Sequence, residues 1–597
     1  MRKTNRRGFL KLACGTGAGA LALPFIRSSS LLSAAGKPNL LIILTDQQRE
    51  QAHFPEGVSF PNWDRLREAG ISFSRYHGAS APCTPSRANI FTGQHSRSVN
   101  MIDNLNFGYV DDMAEEIPTL GTMLQEAGYY TAYKGKWHLH DILDVGCEDV
   151  DTVDALASYG FTEYNPCGDF HGAPWGGVQH DREIAKAAVE WLQERAPVIV
   201  QTQPFCLVVS FINPHDIMFY DADGFIGPVQ VAQGNFPILP HPPAPPYFRD
   251  WDPDPPSSLY DDDLSTKPWG QQEFKRVIDY LFGSIPVWAK PMWERYINYY
   301  INCMLDVDYQ MGLVLDALDA SGFGENTIIV ASSDHGELGG VHGGLRQKGP
   351  CIYRENLNLP LTIVHPDVAG GTTSDALFSS VDLVPTLMSL VGVGEAQLKS
   401  WYPEVIGYDM SGSLTSTSSV GARASSAAGV LFTYDGYSTV DLDYTIAITE
   451  IQKENPGECV VPGGTPNLDN RGFLRGLFDG RYKFARYFSH NGYNRPTTLG
   501  ELRENNDLEL YDTEADPDEN YNLAYDPAFE SLLESMSNAL EGLIDQEIQG
   551  DDTGYPVPDF SQCDQFDTIA GMAPGEGKTS FSRAAAGARI GRRIGKR

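Results

Sequence analysis

The chain has 597 residues, with 78 Asp and Glu against 44 Lys and Arg, a formal net charge of -34. That length exceeds what one hydrophobic core fills, so a large domain plus a smaller one is expected. The acidic balance excludes a nucleic-acid or anionic-membrane partner, both of which need a basic face, and it requires positive charge to be concentrated locally if the substrate is an anion.

Asn5-Arg6-Arg7-Gly8-Phe9-Leu10-Lys11, the apolar run Leu12 to Phe25 and the small residues Ser33-Ala34-Ala35 look like a twin-arginine export signal. Residues 1–35 are therefore read as a signal peptide, and the mature chain as periplasmic or secreted. No later apolar run is long enough to span a bilayer. Setting aside Cys14 and Cys83, the cysteines at 147, 167, 206, 303, 351, 459 and 563 are odd in number and lack metal-type spacing, which leaves pairing and oligomeric state open.

Asn39 to Asp46 is a continuous apolar run ending in a carboxylate, the pattern of a buried parallel strand with its polar end at a site mouth, and Gln47 follows. Phe60 to Leu66 opens a helix closed by Gly70, and Ile71 to Phe73 resumes a strand. Ala81 to Gly93 reads as a loop feeding a short buried helix, with Pro85 at its first position and Cys83 just ahead of its positive end. A helix at Thr119 to Ala127 and a strand at Tyr129 to Lys134 lead to Gly135-Lys136-Trp137-His138, where an extended backbone points Lys136 and His138 to one side.

An amphipathic helix over Asp181 to Arg195 precedes a strand at Phe205 to Phe211, which delivers His215. Met218 to Lys290 is rich in Pro, Asp and aromatics and lacks periodicity. It reads as a substrate-binding insertion, with Tyr220, Tyr247, Phe248 and Trp251 available for stacking and Asp261 to Asp263 as rim carboxylates. A long helix at Trp293 to Ala320 and a strand at Thr327 to Ser332 bring up Ser333-Asp334-His335-Gly336-Glu337 within a glycine-rich stretch, with Lys348 beyond. Then come a strand at Leu361 to Val364 and a helix at Leu383 to Val391.

Past residue 425 the segments shorten. Tyr482 to Tyr487 and Leu508 to Asp512 read as antiparallel strands, and Pro527 to Gln549 as a helix. The division is 36–424 for an α/β catalytic domain, 425–571 for an α+β subdomain and 572–597 for a basic disordered tail.

Two carboxylates, Asp46 and Asp334, with Gln47 and His335, form an oxygen-rich set for a hard divalent cation. Arg87, Lys136 and Lys348 would neutralise an anionic ester.

Cys83-Thr84-Pro85-Ser86-Arg87 resembles the Cys-x-Pro-x-Arg signature of the type I sulfatases, members of the alkaline phosphatase superfamily. The segments 40–47, 135–139, 213–216, 333–343 and 508–523 are similar to that family's in the same order. The resemblance implies a large mixed, mostly parallel sheet flanked by helices, a formylglycine made from Cys83 by a formylglycine-generating enzyme, and a bound Ca2+, or else Mn2+ or Mg2+. It makes Asp46, Gln47, Cys83, Asp334 and His335 the metal ligands, and Arg87, Lys136, His138, His215 and Lys348 the sulfate pocket. The expected activity is hydrolysis of a sulfate ester on a small molecule or oligosaccharide. Asp46-Gln47 and Asp334-His335 are also similar to the pairs in choline sulfatases and phosphonate monoester hydrolases, so phosphonate or phosphate ester hydrolysis and choline sulfate hydrolysis stand as alternatives. A third alternative is a non-catalytic glycan-binding protein on the same fold.

Overall fold

The structure is a computed structural model that describes residues 36–50, 54–140, 152–165, 168–170, 172–224, 227–231, 233–415, 423, 428–454, 464–548 and 556–560. The signal segment, the basic tail and Cys147, Cys167, Cys459 and Cys563 lie outside the described residues.

Thirteen strands are described: β1 Asn39–Asp46, β2 Ile71–Phe73, β3 Tyr76–His77, β4 Tyr130–Gly135, β5 Phe205–Pro214, β6 Thr327–Ser333, β7 Leu361–Val364, β8 Thr372–Ser374, β9 Phe378–Ser379, β10 Val430–Tyr434, β11 Phe473–Phe478, β12 Tyr482–Phe488 and β13 Asp507–Asp512. Seven form one sheet in the order β4-β5-β1-β6-β7-β2-β8. Neighbours β4, β5, β1 and β6 run parallel, β7 is antiparallel to both of its neighbours, and β2 and β8 are parallel. This is the mixed, mostly parallel sheet expected.

The alternation of β1 shows how the sheet is filled. Leu40, Ile42 and Leu44 join one core with Ala88, Ile90 and Phe91 of the helix Cys83–Thr92, while Leu41 and Ile43 join the opposite core with Ile184 and the long helix Lys290–Ala320. A period of two with both faces apolar is what a central strand between helical layers needs.

The strands β10 to β13 form a separate antiparallel sheet in chain order. One face packs on the helix Glu530–Glu547 through Leu431, Leu477, Phe484 and Leu510. The other meets Phe274, Val277, Ile278 and Leu281. Those four belong to the helix Trp269–Phe282, inside the stretch read as aperiodic.

That insertion therefore differs from the expectation. Its middle is a helix buttressing the second sheet, and most of its aromatics are packing residues. Tyr220 is buried and stacks on Tyr299 at 4.1 Å, and Tyr247 is buried with its hydroxyl donating to Asp306 at 2.9 Å. Trp251 donates to Asn302 at 3.0 Å, and the Arg249 guanidinium covers its ring at 3.9 Å. Of the four only Phe248 is largely exposed, at 63%.

Candidate active site

The parallel strands β1, β4, β5 and β6 all end on one edge of the sheet, where ligands gather in open α/β folds. The chain places Asp46 at the end of β1, Lys136 just past β4, His215 just past β5 and Asp334 with His335 just past β6.

The helix Cys83–Thr92 supplies the fifth element. It begins at Cys83 itself, two residues earlier than the Pro85 start, so the Cys83 Sγ leaves from the first turn. Pro85 still falls among the first four residues, whose N–H groups have no partner within the helix. All ten residues are buried, and Gly93 ends the helix in the left-handed region at φ 66°.

Ligand-type atoms of Asp46, Cys83, Asp334 and His335 lie within 4.8 Å of one another, all buried. The Cys83 Sγ is 3.0 Å from His335 Nε2, and that nitrogen is 3.4 Å from Asp46 Oδ1 and 3.7 Å from Asp334 Oδ1. His335 Nδ1 lies 3.1 Å from the Gly336 carbonyl, so its proton belongs on that side and Nε2 turns its lone pair into the cluster. Two carboxylates and one imidazole so oriented fit a divalent cation.

The cations around this centre have divided tasks. Lys136 Nζ donates to Asp46 Oδ2 at 2.5 Å, leaving Oδ1 toward the cluster. Burial alone would raise the Asp46 carboxyl, but Lys136, His215, His335 and Lys348 together hold it well below the usual carboxylate range. Burial and Asp46 likewise push the Cys83 thiol up, and Lys136, Lys348 and His335 outweigh them, so it lies below its ordinary value. Burial lowers His335, while Asp334 and Cys83 overcome that and raise it.

Arg87 is not placed as a sulfate ligand. Its Nε donates to the Trp137 carbonyl at 2.7 Å, one terminal nitrogen to Asp334 Oδ2 at 3.2 Å, and the other to Tyr133, Ser210 and the Lys136 carbonyl. Fully buried, it ties the ends of β4, β5 and β6 together beneath the centre. The Gln47 side chain is held between two charged groups. Its Oε1 accepts from Lys348 Nζ at 2.5 Å and its Nε2 donates to Glu337 at 2.5 Å.

Lys136 and His138 do not share an extended segment either. His138 sits at φ 58°, its backbone N–H donating to Asp169 Oδ2 at 2.7 Å, and its Nε2 lies 3.2 Å from Asn106 Oδ1. Asn104 caps the helix Cys83–Thr92 by accepting from the Thr84 N–H at 3.0 Å. Asn104, Asn106 and Asp169 come from irregular segments, where nothing in residue spacing marks them. Glu337 was visible inside the glycine-rich stretch but carried no assigned task.

His215 is buried, and no hydrogen-bond partner is found for its Nδ1. Burial first, then Lys348, holds it well below the ordinary histidine value.

The sulfatase family model matches residues 38–393, which hold every residue of this site. The chain belongs to the sulfatase family. This sulfatase is 28% identical over 404 residues to the N-acetylglucosamine-6-O-sulfatase of Bacteroides thetaiotaomicron, an alignment covering 60% of this chain and 68% of that one. It is 25% identical over 529 residues to the Delta 4,5-hexuronate-2-O-sulfatase of the same organism, covering 86% and 89%. Among solved structures it resembles a 2-O GAG sulfatase with a TM-score of 0.58 at 20% identity, covering 88% of this chain and 98% of that one, a likeness of fold. The family match and the sulfatase relatives place the chain in the alkaline phosphatase superfamily as a sulfuric ester hydrolase.

Proposed function

We propose that this sulfatase hydrolyses sulfate esters of carbohydrates, using a formylglycine at position 83 and a divalent cation held by Asp46, Asp334, His335 and residue 83. The observation that carries the reading is the buried convergence of Cys83 with those three side chains at the ends of β1 and β6. The Cys83 Sγ stands where an oxygen of the oxidised, hydrated side chain would be. When bound, the cation supplies Lewis-acid polarisation of that oxygen and of the sulfate. Calcium is the family's usual ion, and the imidazole among oxygen donors also suits manganese or magnesium.

The chain's own groups then divide the work. Lys348 draws in the ester's negative charge, and Lys136 keeps Asp46 ionised. A hydroxyl of residue 83 gives its proton to Asp46 Oδ1, which lies 3.9 Å from the Cys83 Sγ, and attacks sulfur; the bond from sulfur to the alcohol oxygen breaks, and His215 gives the leaving alcohol its proton. Burial first, then Lys348, holds His215 below the ordinary histidine value, and the charge of the entering anionic ester works against that shift. His138 takes the proton of the second hydroxyl, the bond from residue 83 to sulfate breaks, and the aldehyde returns. Asp169 and Asn106 hold His138 for that task.

The carbohydrate reading draws on the two relatives, which are a sugar and a hexuronate sulfatase by name. Among the described residues of the insertion, the aromatic ring and one of the carboxylates that a choline cation would need are engaged elsewhere. Arg249 covers the Trp251 ring, and Asp262 is engaged by His342 at 2.8 Å and Lys267 at 3.2 Å. Export by the twin-arginine route to the periplasm, after oxidation by the maturation enzyme, accords with the first 35 residues. Among the described residues no helix is long and apolar enough to cross a membrane.

A screen of sulfated mono- and oligosaccharides beside choline sulfate and an aryl phosphonate, scored by released sulfate or phosphonate, tests this. Sulfate release from at least one sugar is expected. Turnover of choline sulfate or the phosphonate with none of any sulfated sugar contradicts it.

A further inference from the structure

Asp103 is fully buried and takes no part in the chemistry derived above. Its Oδ1 accepts from the Asn104 N–H at 2.8 Å and its Oδ2 from the Tyr109 hydroxyl at 2.6 Å. The Tyr437 N–H, three residues past β10, also donates to this carboxylate. Burial, only partly offset by those donors, pushes its carboxyl up to about 6. A carboxylate kept here at that cost is explained by what the following loop holds.

The segment 104–109 is neither helix nor strand, and it reaches the centre at three points. Asn104 accepts from the N–H of Thr84, the neighbour of residue 83, at 3.0 Å. The Leu105 N–H donates to the Thr84 hydroxyl at 3.4 Å, and that hydroxyl donates to the His138 carbonyl at 2.9 Å. Asn106 Oδ1 lies 3.2 Å from His138 Nε2. An amide oxygen can only accept, so this contact keeps the His138 proton on Nε2 and its lone pair on Nδ1. Packing closes the far end of the loop: the Tyr109 ring stacks on Phe107 at 5.4 Å and stands edge-on to Tyr437 at 5.6 Å.

We propose that Asp103 is a positioning residue for the second half of the reaction, holding the 104–109 loop against the second sheet so that Asn106 fixes the tautomer of His138. This rests on the reading of His138 as the base that releases sulfate. Through Tyr437, the second sheet then bears on a step carried out beyond the end of β4. Without the Asp103 carboxylate the loop keeps its contacts to Thr84 but loses the tie at its root, and Asn106 no longer selects Nδ1 as the accepting atom. Attack on sulfur does not use His138, so the loss falls on the release of sulfate from residue 83.

The test is burst and steady-state hydrolysis of nitrophenyl sulfate by matured, metal-loaded enzyme, for wild type, Asp103→Ala, His138→Ala and the double variant. Asp103→Ala is expected to release one nitrophenol per active site in a burst, followed by turnover with kcat about tenfold below wild type. KM falls with kcat, so kcat/KM stays within about threefold of wild type, and Asp103→Ala has no further effect once His138 is gone. If Asp103→Ala does not accumulate folded, Tyr109→Phe carries the same prediction at about threefold in kcat, since it removes one donor from the carboxylate. His138→Ala without a burst overturns the reading of His138 and the positioning role with it. A burst in His138→Ala, combined in Asp103→Ala with no burst, a reduced kcat/KM or equal losses in both backgrounds, overturns the positioning role alone.

Discussion

A Cβ at Gly172 would overlap the His215 ring, so that glycine marks how closely the backbone is drawn over the proposed acid. His215→Ala is expected to slow phenyl sulfate hydrolysis by about 100-fold or more and nitrophenyl sulfate far less, because a good leaving group departs without a proton. Equal losses on both esters would assign His215 to binding. At this scale the sequence was informative wherever a residue closes a strand, as Asp46, His215 and Asp334 do. It was misleading where charge type stood in for role. Arg87 has the chemistry of a sulfate ligand, yet five buried oxygens claim its donors, a carboxylate oxygen of Asp334 among them. His138 was placed by assuming an extended backbone, and its φ of 58° breaks that assumption.

Among the elements, the strands feeding the centre could be read from apolar runs, and the long helix began only three residues before its expected start. The helix Trp269–Phe282 was missed although Phe274, Val277, Ile278, Leu281 and Phe282 carry the helical spacing, because the Pro- and Asp-rich flanks dominate the composition of that stretch. How the two sheets are joined could not be read at all, since it depends on residues far apart in the chain. Arg423 donates to both oxygens of Asp382, at 2.8 and 2.7 Å, and to Glu547 at 2.6 Å, while His95 lies 2.9 Å from the other Glu547 oxygen. All four are buried, and they fasten the end of the helix Glu530–Glu547 to the larger sheet's helical layer. Arg423→Met leaves the buried Asp382 without its cation and Glu547 with His95 alone, so a loss of about 3 kcal/mol is expected in denaturant unfolding. A change below about 1 kcal/mol would show that these charges are not held as the contacts indicate.

Over the whole molecule, a chain of net charge -34 gathers Lys136 and Lys348 at one buried centre with Arg87 beneath it, a local concentration of cations in an acidic protein. A loss of stability in acid is expected from a group elsewhere in the fold. His77 ends β3, its ring 4.8 Å from that of Phe478 on β11, and burial followed by Lys483 lowers its pKa to about 3. The folded state therefore refuses a proton that the unfolded state accepts below its ordinary value near 6.5, so stability is lost as pH falls from there toward 3. At pH 5 this amounts to about 2 kcal/mol, and His77→Asn should flatten that part of the stability–pH profile. An unchanged slope between pH 7 and pH 5 would place the acid sensitivity in other groups.

The central claim, that sulfate esters are cleaved through residue 83, is tested most directly by free-sulfate release from an aryl sulfate. Wild type and Cys83→Ser are compared after co-expression with the maturation enzyme. Release by the wild type and none by the variant is predicted; equal release by both would contradict the account.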